Sequence, residues 1–182
     1  MNDVDFEQKI NDLKNAKAII FDMRGYPNNC SFDFLTHLIK YPVQSAKFLI
    51  PIIKEPDHFG KANYDTTGRW TVYPKVPYLN AKKYFLCDER SISQSETLLG
   101  IIESYKIAEI IGRPTAGTNG NVNYINLPGD YTISFTGMKV IKHNNSRHNG
   151  IGILPNKIIK STLEKIKNNK DILLEYAIDN IN

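Results

Sequence analysis

Residues 82–112 read KKYFLCDERSISQSETLLGIIESYKIAEIIG, and this stretch decides the fold. The apolar run at 82–87 predicts a buried strand, and the polar residues that follow predict a turn. Apolar residues from Ser95 onward recur at the spacing of an amphipathic helix, and the run at 107–112 predicts a third core strand. Strand, turn, helix and strand in this order indicate an α/β layer fold.

The first part of the chain has the same organisation. Apolar residues at helical spacing across 6–13 predict a helix, and KAIIFDM at 17–23 predicts a buried strand that ends in a turn. Ser31 can cap a helix with apolar residues at 34–39, which Pro42 would end. The α/β unit is therefore predicted twice.

The remaining segments predict shorter elements. Residues 48–80 are rich in proline and predict an irregular excursion with one or two short strands, FLIPII at 48–53 and RWTVY at 69–73. NVNYINLPGDYTISF at 121–135 predicts a β-hairpin, which GMKVI at 137–141 would continue as a third strand. GIGILP at 150–155 predicts a short strand, and the segment 171–181 predicts a final helix capped by Asp171.

Composition narrows the class of protein. The 182 residues are 41% hydrophobic and 23% charged, which is typical of a soluble globular domain, and no apolar run is long enough to span a bilayer. The formal net charge of +4 is spread along the chain without a basic block, so nucleic acid is not expected as a partner. Cys30 and Cys87 lack the spacing of metal ligands, while a disulfide or two free thiols are equally allowed.

Three serines, Ser91, Ser93 and Ser95, stand between the second predicted strand and its helix. A hydroxyl at a helix start lies near unpaired N–H groups that can stabilise an oxyanion. Serine followed three residues later by glutamate is also an ordinary capping box. The local pattern alone therefore leaves nucleophile and helix cap as alternatives.

Several segments, taken in order, resemble the serine peptidase family that contains the C-terminal processing peptidases and tricorn protease. They are AIIFDMRGYPNN (18–29), SISQSE (91–96), IIGRPTAGTNG (110–120), LPGDYTISFTGMKV (127–140), GIGILPNKIIKST (150–162) and KNNKDILLEYA (167–177). The resemblance implies an α/β fold with a ClpP/crotonase-like spiral core of stacked βα units and an antiparallel hairpin. It also implies that residues 1–182 form a single peptidase core domain, the C-terminal part of a longer parent protein.

The resemblance assigns roles to residues of the turn. Ser93 would be the catalytic nucleophile, and the Gln94 N–H would form one arm of the oxyanion hole. The second arm would come from the loop around Asn28, where the family usually has glycine. Glu96 could polarise the site, although a carboxylate at a helix start is also explained by the helix dipole. The reaction would require no metal and no organic cofactor.

No residue of the sequence matches the position of the general base in either branch of the family. The C-terminal processing branch uses a lysine where this chain has Gly117 to Gly120, and Lys106 is expected to be a solvated helix residue. The tricorn branch, which the TAGTNG segment resembles better, uses a histidine before the first core strand, and none precedes Ala18. The four histidines, at positions 37, 58, 143 and 148, are expected at the surface.

These observations leave three hypotheses. The first is a serine peptidase acting on peptide or protein substrates, with a histidine base from outside this segment. The second is a peptide-binding or structural domain that has kept the fold and lost the chemistry, and the third is an acyl-CoA enzyme of the crotonase type. By resemblance alone, the tricorn-like parent would be secreted and act outside the cell or in the periplasm or cell envelope. The oligomeric state stays open.

Overall fold

A computed structural model describes residues 3–27, 30–31, 33–54, 63–160, 162–168 and 170–181, without the side chain of Ile166. In chain order the elements are α1 (Asp3–Lys14), β1 (Ala18–Asp22), α2 (Asp33–Thr36), β2 (Val43–Gln44), β3 (Lys47–Ile52), β4 (Asn63–Gly68), β5 (Thr71–Val72), β6 (Lys82–Cys87), α3 (Gln94–Tyr105), β7 (Glu109–Gly112), β8 (Val122–Leu127), β9 (Tyr131–Thr136), β10 (Lys139–Ile141), β11 (Lys157–Ile158), α4 (Leu163–Lys167) and α5 (Ile172–Asp179). None of the described helices is long and apolar enough to cross a membrane.

A parallel sheet of order β1-β6-β7-β11 forms the centre of the molecule. Side chains of a strand point alternately to the two faces of its sheet. Along β6, Phe85 and Cys87 accordingly join the core on one face, while Tyr84 and Leu86 join the core on the other. Both faces are buried, which explains why β6 is an almost continuous apolar run.

Helices cover the two faces of this sheet. The larger core contains apolar side chains of α1, α2 and α3, with the rings of Phe21 and Phe85 stacked at 4.6 Å between centroids. The smaller core packs α5 against the opposite face through Ile172, Leu173 and Ala177. The predicted α/β layer fold is therefore confirmed.

Smaller antiparallel sheets surround this core. β10, β3 and β4 form one sheet, β2 and β5 pair with each other, and β8 and β9 form the predicted hairpin. Tight turns at Gly129 (φ 83°) and Asp130 (φ 62°) connect the two hairpin strands. The molecule therefore combines a parallel sheet with antiparallel hairpins.

Several predicted elements differ from the structure. GMKVI does form a strand, but β10 pairs with β3 and not with the hairpin, so the prediction of a three-stranded continuation is wrong. GIGILP forms no strand, and the parallel sheet gains its last strand two residues later, at β11. The helix expected across 34–39 ends at Thr36, although the apolar residues that follow are still buried. The excursion after Phe48 contains the regular strand β4, whose polar sequence gave no strand signal.

Candidate active site

Ser93 lies between β6 and α3 in an unusual backbone conformation. Its φ is 51° and its ψ is −109°, although serine carries a Cβ that disfavours positive φ. Such a conformation costs on the order of 1–3 kcal/mol, and residues held in this way cluster at active sites. A sharp strand-to-helix turn of this kind presents the side chain of its central residue away from the sheet.

Gln94 is the first residue of α3, so its N–H has no acceptor within the helix. Among the described residues, no other group accepts a hydrogen bond from this amide. The helix dipole adds positive potential at the same end of α3. Within the described part of the chain, one backbone donor directly beside Ser93 is therefore without an acceptor.

Polar side chains of the Ser93 turn hold the loop that follows β1. The Ser91 hydroxyl donates to the Met23 carbonyl at 2.8 Å, and the Ser95 hydroxyl donates to the Gly25 carbonyl at 2.6 Å. The Gln94 side-chain amide donates to the Cys30 carbonyl at 3.1 Å. These bonds fix the described residues on both sides of positions 28 and 29.

The predicted second arm of the oxyanion hole is at Asn28, between the residues that these bonds hold. Asn28 and its neighbour Asn29 lie outside the described residues. Ser91 and Ser95 are almost completely buried, whereas Ser93 is half-buried. Of the three serines in the turn, Ser93 is therefore the one that an outside molecule can reach most readily.

Glu96 is buried, and its carboxylate accepts hydrogen bonds from the loop after β7. Oε1 accepts from the Thr115 hydroxyl and the Gly117 amide, both at 2.6 Å. Oε2 accepts from the Thr118 amide at 2.8 Å and from the Ser93 amide at 3.3 Å. The carboxylate thus joins the Ser93 turn to residues 115–118, a connection that exceeds a simple helix cap.

A buried histidine faces the same carboxylate. Nε2 of His148 lies 3.3 Å from Oε1 of Glu96, but it is not aligned for a hydrogen bond with any described group. Burial raises the pKa of Glu96, yet contacts with His148, Thr115 and the Gly117 amide outweigh burial and bring its pKa below the ordinary value. Glu96 is therefore held as an anion at neutral pH.

Glycine permits the close approach of the two loops around Glu96. At Gly152, where φ is +73°, an added Cβ would lie 2.5 Å from the Thr115 hydroxyl oxygen and 3.0 Å from the Gly117 nitrogen. Any other residue would displace two of the donors that bind Glu96.

The histidines do not occupy the expected surface positions. His37 is buried, and its Nδ1 donates to the Pro77 carbonyl at 2.9 Å. His143 is half-buried, with Nε2 donating to the Gln44 carbonyl at 2.9 Å and Nδ1 at 2.8 Å from the Ser104 hydroxyl. His148 is only 1% exposed, and His58 lies outside the described residues.

The prediction of surface histidines is therefore wrong for positions 37 and 148. The His37 ring donates to a backbone carbonyl and the His148 ring faces the Glu96 carboxylate, and a single sequence indicates neither placement. No described histidine contacts the Ser93 hydroxyl. Lys106 is exposed at the end of α3, as expected.

Arg24 forms a network of ion pairs that the sequence gave no reason to expect. Its guanidinium binds Asp22 in bidentate geometry at 2.6–2.8 Å and binds Asp171 at 2.7–2.8 Å. Asp171 also caps α5 by accepting from the Leu174 amide at 3.2 Å, which confirms the predicted cap. Arg24 therefore ties the end of β1 to the C-terminal helix.

Across the part of the chain that the structure describes, no group of three His, Cys, Asp or Glu side chains is placed to hold a metal ion. Cys30 and Cys87 are both free thiols, and burial raises the pKa of Cys87 to about 12. The cysteine is accordingly held as a neutral thiol.

Together, the parallel sheet and the strained serine define the class of protein as an α/β protein with a sharp strand-to-helix turn at Ser93. The model of peptidase family S41 matches residues 44–159, which is more than half of the chain. The chain therefore belongs to peptidase family S41, and its membership supports a serine-peptidase function in general.

Solved structures show the same fold at low sequence identity. A protein from Parabacteroides merdae that is described as a peptidase is 18% identical, with a TM-score of 0.77 over 98% of this chain and 56% of that one. Mature CPAF complexed with lactacystin is 15% identical, with a TM-score of 0.79 over 98% of this chain and 46% of that one. Tricorn protease is 14% identical, with a TM-score of 0.54 over 92% of this chain and 15% of that one.

The chain thus spans about half the length of the first two of these proteins. No curated protein sequence matches it significantly.

Proposed function

We propose that this chain is a serine-peptidase core in which Ser93 attacks the carbonyl carbon of a peptide bond. The hydroxyl proton passes to a base, the Ser93 oxygen forms an acyl ester, and the protonated amine leaves. Water then hydrolyses the ester and restores the hydroxyl. The observation that carries this proposal is the strained backbone of Ser93 beside the free Gln94 amide.

In this proposal the Gln94 N–H receives the negative charge that develops on the carbonyl oxygen. Removing one such donor from an oxyanion hole typically costs about 10²–10³ in rate. The loop around Asn28 would supply the second donor, and the bonds from Ser91, Ser95 and Gln94 explain how that loop would be held beside the nucleophile. Glu96 would act as a positioning residue through the Ser93 amide.

The base is assigned to a histidine supplied from outside this chain. Each described histidine faces a group other than Ser93: His37 and His143 form hydrogen bonds with Pro77, Gln44 and Ser104, and Nε2 of His148 lies 3.3 Å from Glu96. This is the reason to propose that residues 1–182 are the single core domain of a longer, tricorn-like parent. An extracellular, periplasmic or envelope location of that parent belongs to the same proposal.

The engaged histidines also favour one alternative function. If no base reaches Ser93, the domain would bind peptides without cleaving them. The strained turn would then be part of a fold that has lost its catalytic activity. The two functions differ in the reactivity of the Ser93 hydroxyl.

A fluorophosphonate probe measures that reactivity. We expect the probe to label the folded 182-residue chain slowly, and we expect added imidazole to accelerate labelling by acting as an external base. Ser93→Ala should abolish labelling. Ser104→Ala is the matched control, because Ser104 also contacts a histidine but lies outside the proposed site, and it should retain labelling.

Two results would contradict the peptidase. One is a folded protein that stays unlabelled with and without imidazole, which would favour the peptide-binding alternative. The other is labelling that survives Ser93→Ala, which would move the nucleophile elsewhere.

A further inference from the structure

The strand β1 forms one edge of the central parallel sheet, and among the described strands it pairs only with β6. The Met23 amide donates to the Leu86 carbonyl at 2.9 Å, and the Lys82 amide donates to the Lys17 carbonyl at 3.2 Å. Because the backbone groups of a strand point to its two sides at alternate residues, the odd-numbered residues of β1 face β6. The backbone N–H and C=O of Ile20 therefore point toward the free edge.

This free edge has little protection against pairing. Exposed edge strands present unpaired backbone groups to other chains, and proteins usually guard them with charged side chains, proline or a bulge. Residues 18–21 of β1 are apolar, and no described residue forms a backbone hydrogen bond with the outward groups of Ile20. Asp22 is the only charged residue of the strand, and Arg24 binds its carboxylate at 2.6–2.8 Å. The edge is therefore open to a further strand.

An apolar cavity of about 420 Å³ lies along the same edge. All residues from 19 to 23 line it, and because successive side chains of a strand point to opposite faces, the cavity meets β1 from its edge. Phe6 and Leu13 of α1 and Phe34 of α2 form much of the remaining wall. Since a cavity of roughly 150 Å³ holds a benzene-sized group, this one has room for about two apolar side chains.

The cavity is a gap in the larger core of the molecule. Phe6, Ile19 and Phe34 belong to that core, and Leu13 and Phe21 pack against it but stay partly exposed. Protein interiors are packed without large voids, and burying the exposed parts of these side chains is favourable. An occupant that stays in place completes the core, whereas a substrate that leaves after cleavage would reopen the gap.

Proteins of this fold contain further chain that can supply such an occupant. The chain covers 56% of the Parabacteroides merdae protein and 46% of mature CPAF, so each of those chains is about twice as long. The longer parent of the proposed function would therefore hold enough additional chain for another strand. An added strand needs only backbone groups opposite those of Ile20 and apolar side chains at alternate positions.

We propose that the free edge of β1 binds an extended segment of the longer parent protein, which adds a fifth strand to the central sheet. Alternate apolar side chains of this segment fill the cavity, and its backbone exchanges hydrogen bonds with Ile20. The inference rests on the proposed function, because the longer parent is part of that proposal. Pro27 and Cys30, which flank positions 28 and 29, also line the cavity, so the added strand would support the loop expected to hold the second oxyanion donor.

Hydrogen exchange of the 182-residue chain tests whether the edge is free. We expect the Ile20 amide to exchange at least about tenfold faster than the Phe21 amide, because only the Phe21 amide faces β6. Equal protection of the two amides would show that the edge is already covered and would overturn the proposal.

Binding of a labelled peptide to the Ser93→Ala chain, measured by fluorescence anisotropy, tests the added strand without cleavage. The probe is a nine-residue amidated peptide in which leucine alternates with threonine between terminal lysines. Two matched peptides carry backbone N-methyl groups, one at the leucines and the other at the threonines, and a methyl group blocks pairing only where it points toward β1. We expect one of them to bind as the probe does and the other about tenfold more weakly. The weaker one shows whether the added strand is parallel or antiparallel to β1.

Variants of Ile20 test the protein side of the contact. Ile20→Pro removes the outward N–H, and proline is tolerated in an edge strand where that group faces solvent. Ile20→Ala removes the same side chain but keeps the N–H, so it is the matched control. Ile20→Pro should bind the probe about tenfold more weakly than Ile20→Ala. The N-methylated peptides decide the question if Ile20→Pro does not fold.

Several results would overturn the proposal. They are no binding of the probe, equal binding of the two methylated peptides, and equal binding by the two folded Ile20 variants. A dimer of the unmodified chain in light scattering that Ile20→Pro dissociates would assign the edge to a second copy. Cleavage of the probe by the unmodified chain would assign the edge to substrate, and either of these results would also overturn the proposal.

Fluorophosphonate labelling of the unmodified chain distinguishes this failure from failure of the proposed function. A labelled Ser93 in a chain that does not bind the probe rejects only the added strand. Edge-dependent binding of the probe without labelling supports the added strand in a domain that does not cleave peptides.

Discussion

The backbone conformation of Ser93 predicts that glycine at this position gives a more stable protein than alanine, which is the reverse of the usual order. Both Ser93→Ala and Ser93→Gly remove the hydroxyl, so their difference in stability isolates the effect of the Cβ at φ 51°. Relief of the strained conformation by glycine is worth about 1–3 kcal/mol, while the greater freedom of glycine in the unfolded chain costs about 0.4–1 kcal/mol. We therefore expect Ser93→Gly to be the more stable variant by about 1 kcal/mol.

Thermal and urea unfolding measure this difference. For a chain of this length, about 1 kcal/mol corresponds to a shift of about 2–4 °C in Tm. Ile92 provides a matched control, because it is a neighbouring, partly exposed residue whose φ is not positive. There Ile92→Ala should be more stable than Ile92→Gly. The same order of alanine and glycine at both positions would refute the strained turn.

Three further predictions concern the contacts around the site. Glu96→Gln should lower the free energy of unfolding by about 3–5 kcal/mol, because it leaves buried donors without their anion, and urea unfolding measures the loss. Arg24→Met should cost about 1–2 kcal/mol in the same assay and expose the α5 amides to faster hydrogen exchange, because Asp171 loses its cation. Burial lowers the pKa of His143, so the unfolded chain binds a proton more readily; stability should fall as pH drops below the ordinary value of 6.5. His143→Gln should make stability decline less steeply with falling pH. A dependence on pH identical to that of the unmodified chain would show that His143 does not cause the decline.

The elements that could be predicted from sequence are those whose local pattern and tertiary environment agree. β6 and α3 have apolar residues at the spacing that their burial requires, and the PGD segment contains the turn residues of the hairpin. β10 shows where local pattern is insufficient, because nothing in KVI specifies whether it pairs with β9 or with the distant β3. Pairing partners of short strands are decided by tertiary packing.

The candidate site likewise contains residues that could be predicted from the sequence and residues that could not. Ser93 could be selected because a motif and a strand-turn-helix pattern coincide on it, although its reactivity stays a prediction. The environment of Glu96 could not be foreseen, since its donors come from residues 19 to 22 positions further along the chain. His148 is brought to the same carboxylate from a polar segment that is typical of surface loops.

A crystal structure of the chain soaked with a peptide boronic acid tests the central claim most directly. The account predicts a covalent bond between boron and the Ser93 oxygen, with one boronate oxygen about 2.7–3.1 Å from the Gln94 nitrogen. An adduct on another residue, or a boronate whose oxygens receive no backbone N–H, would contradict it.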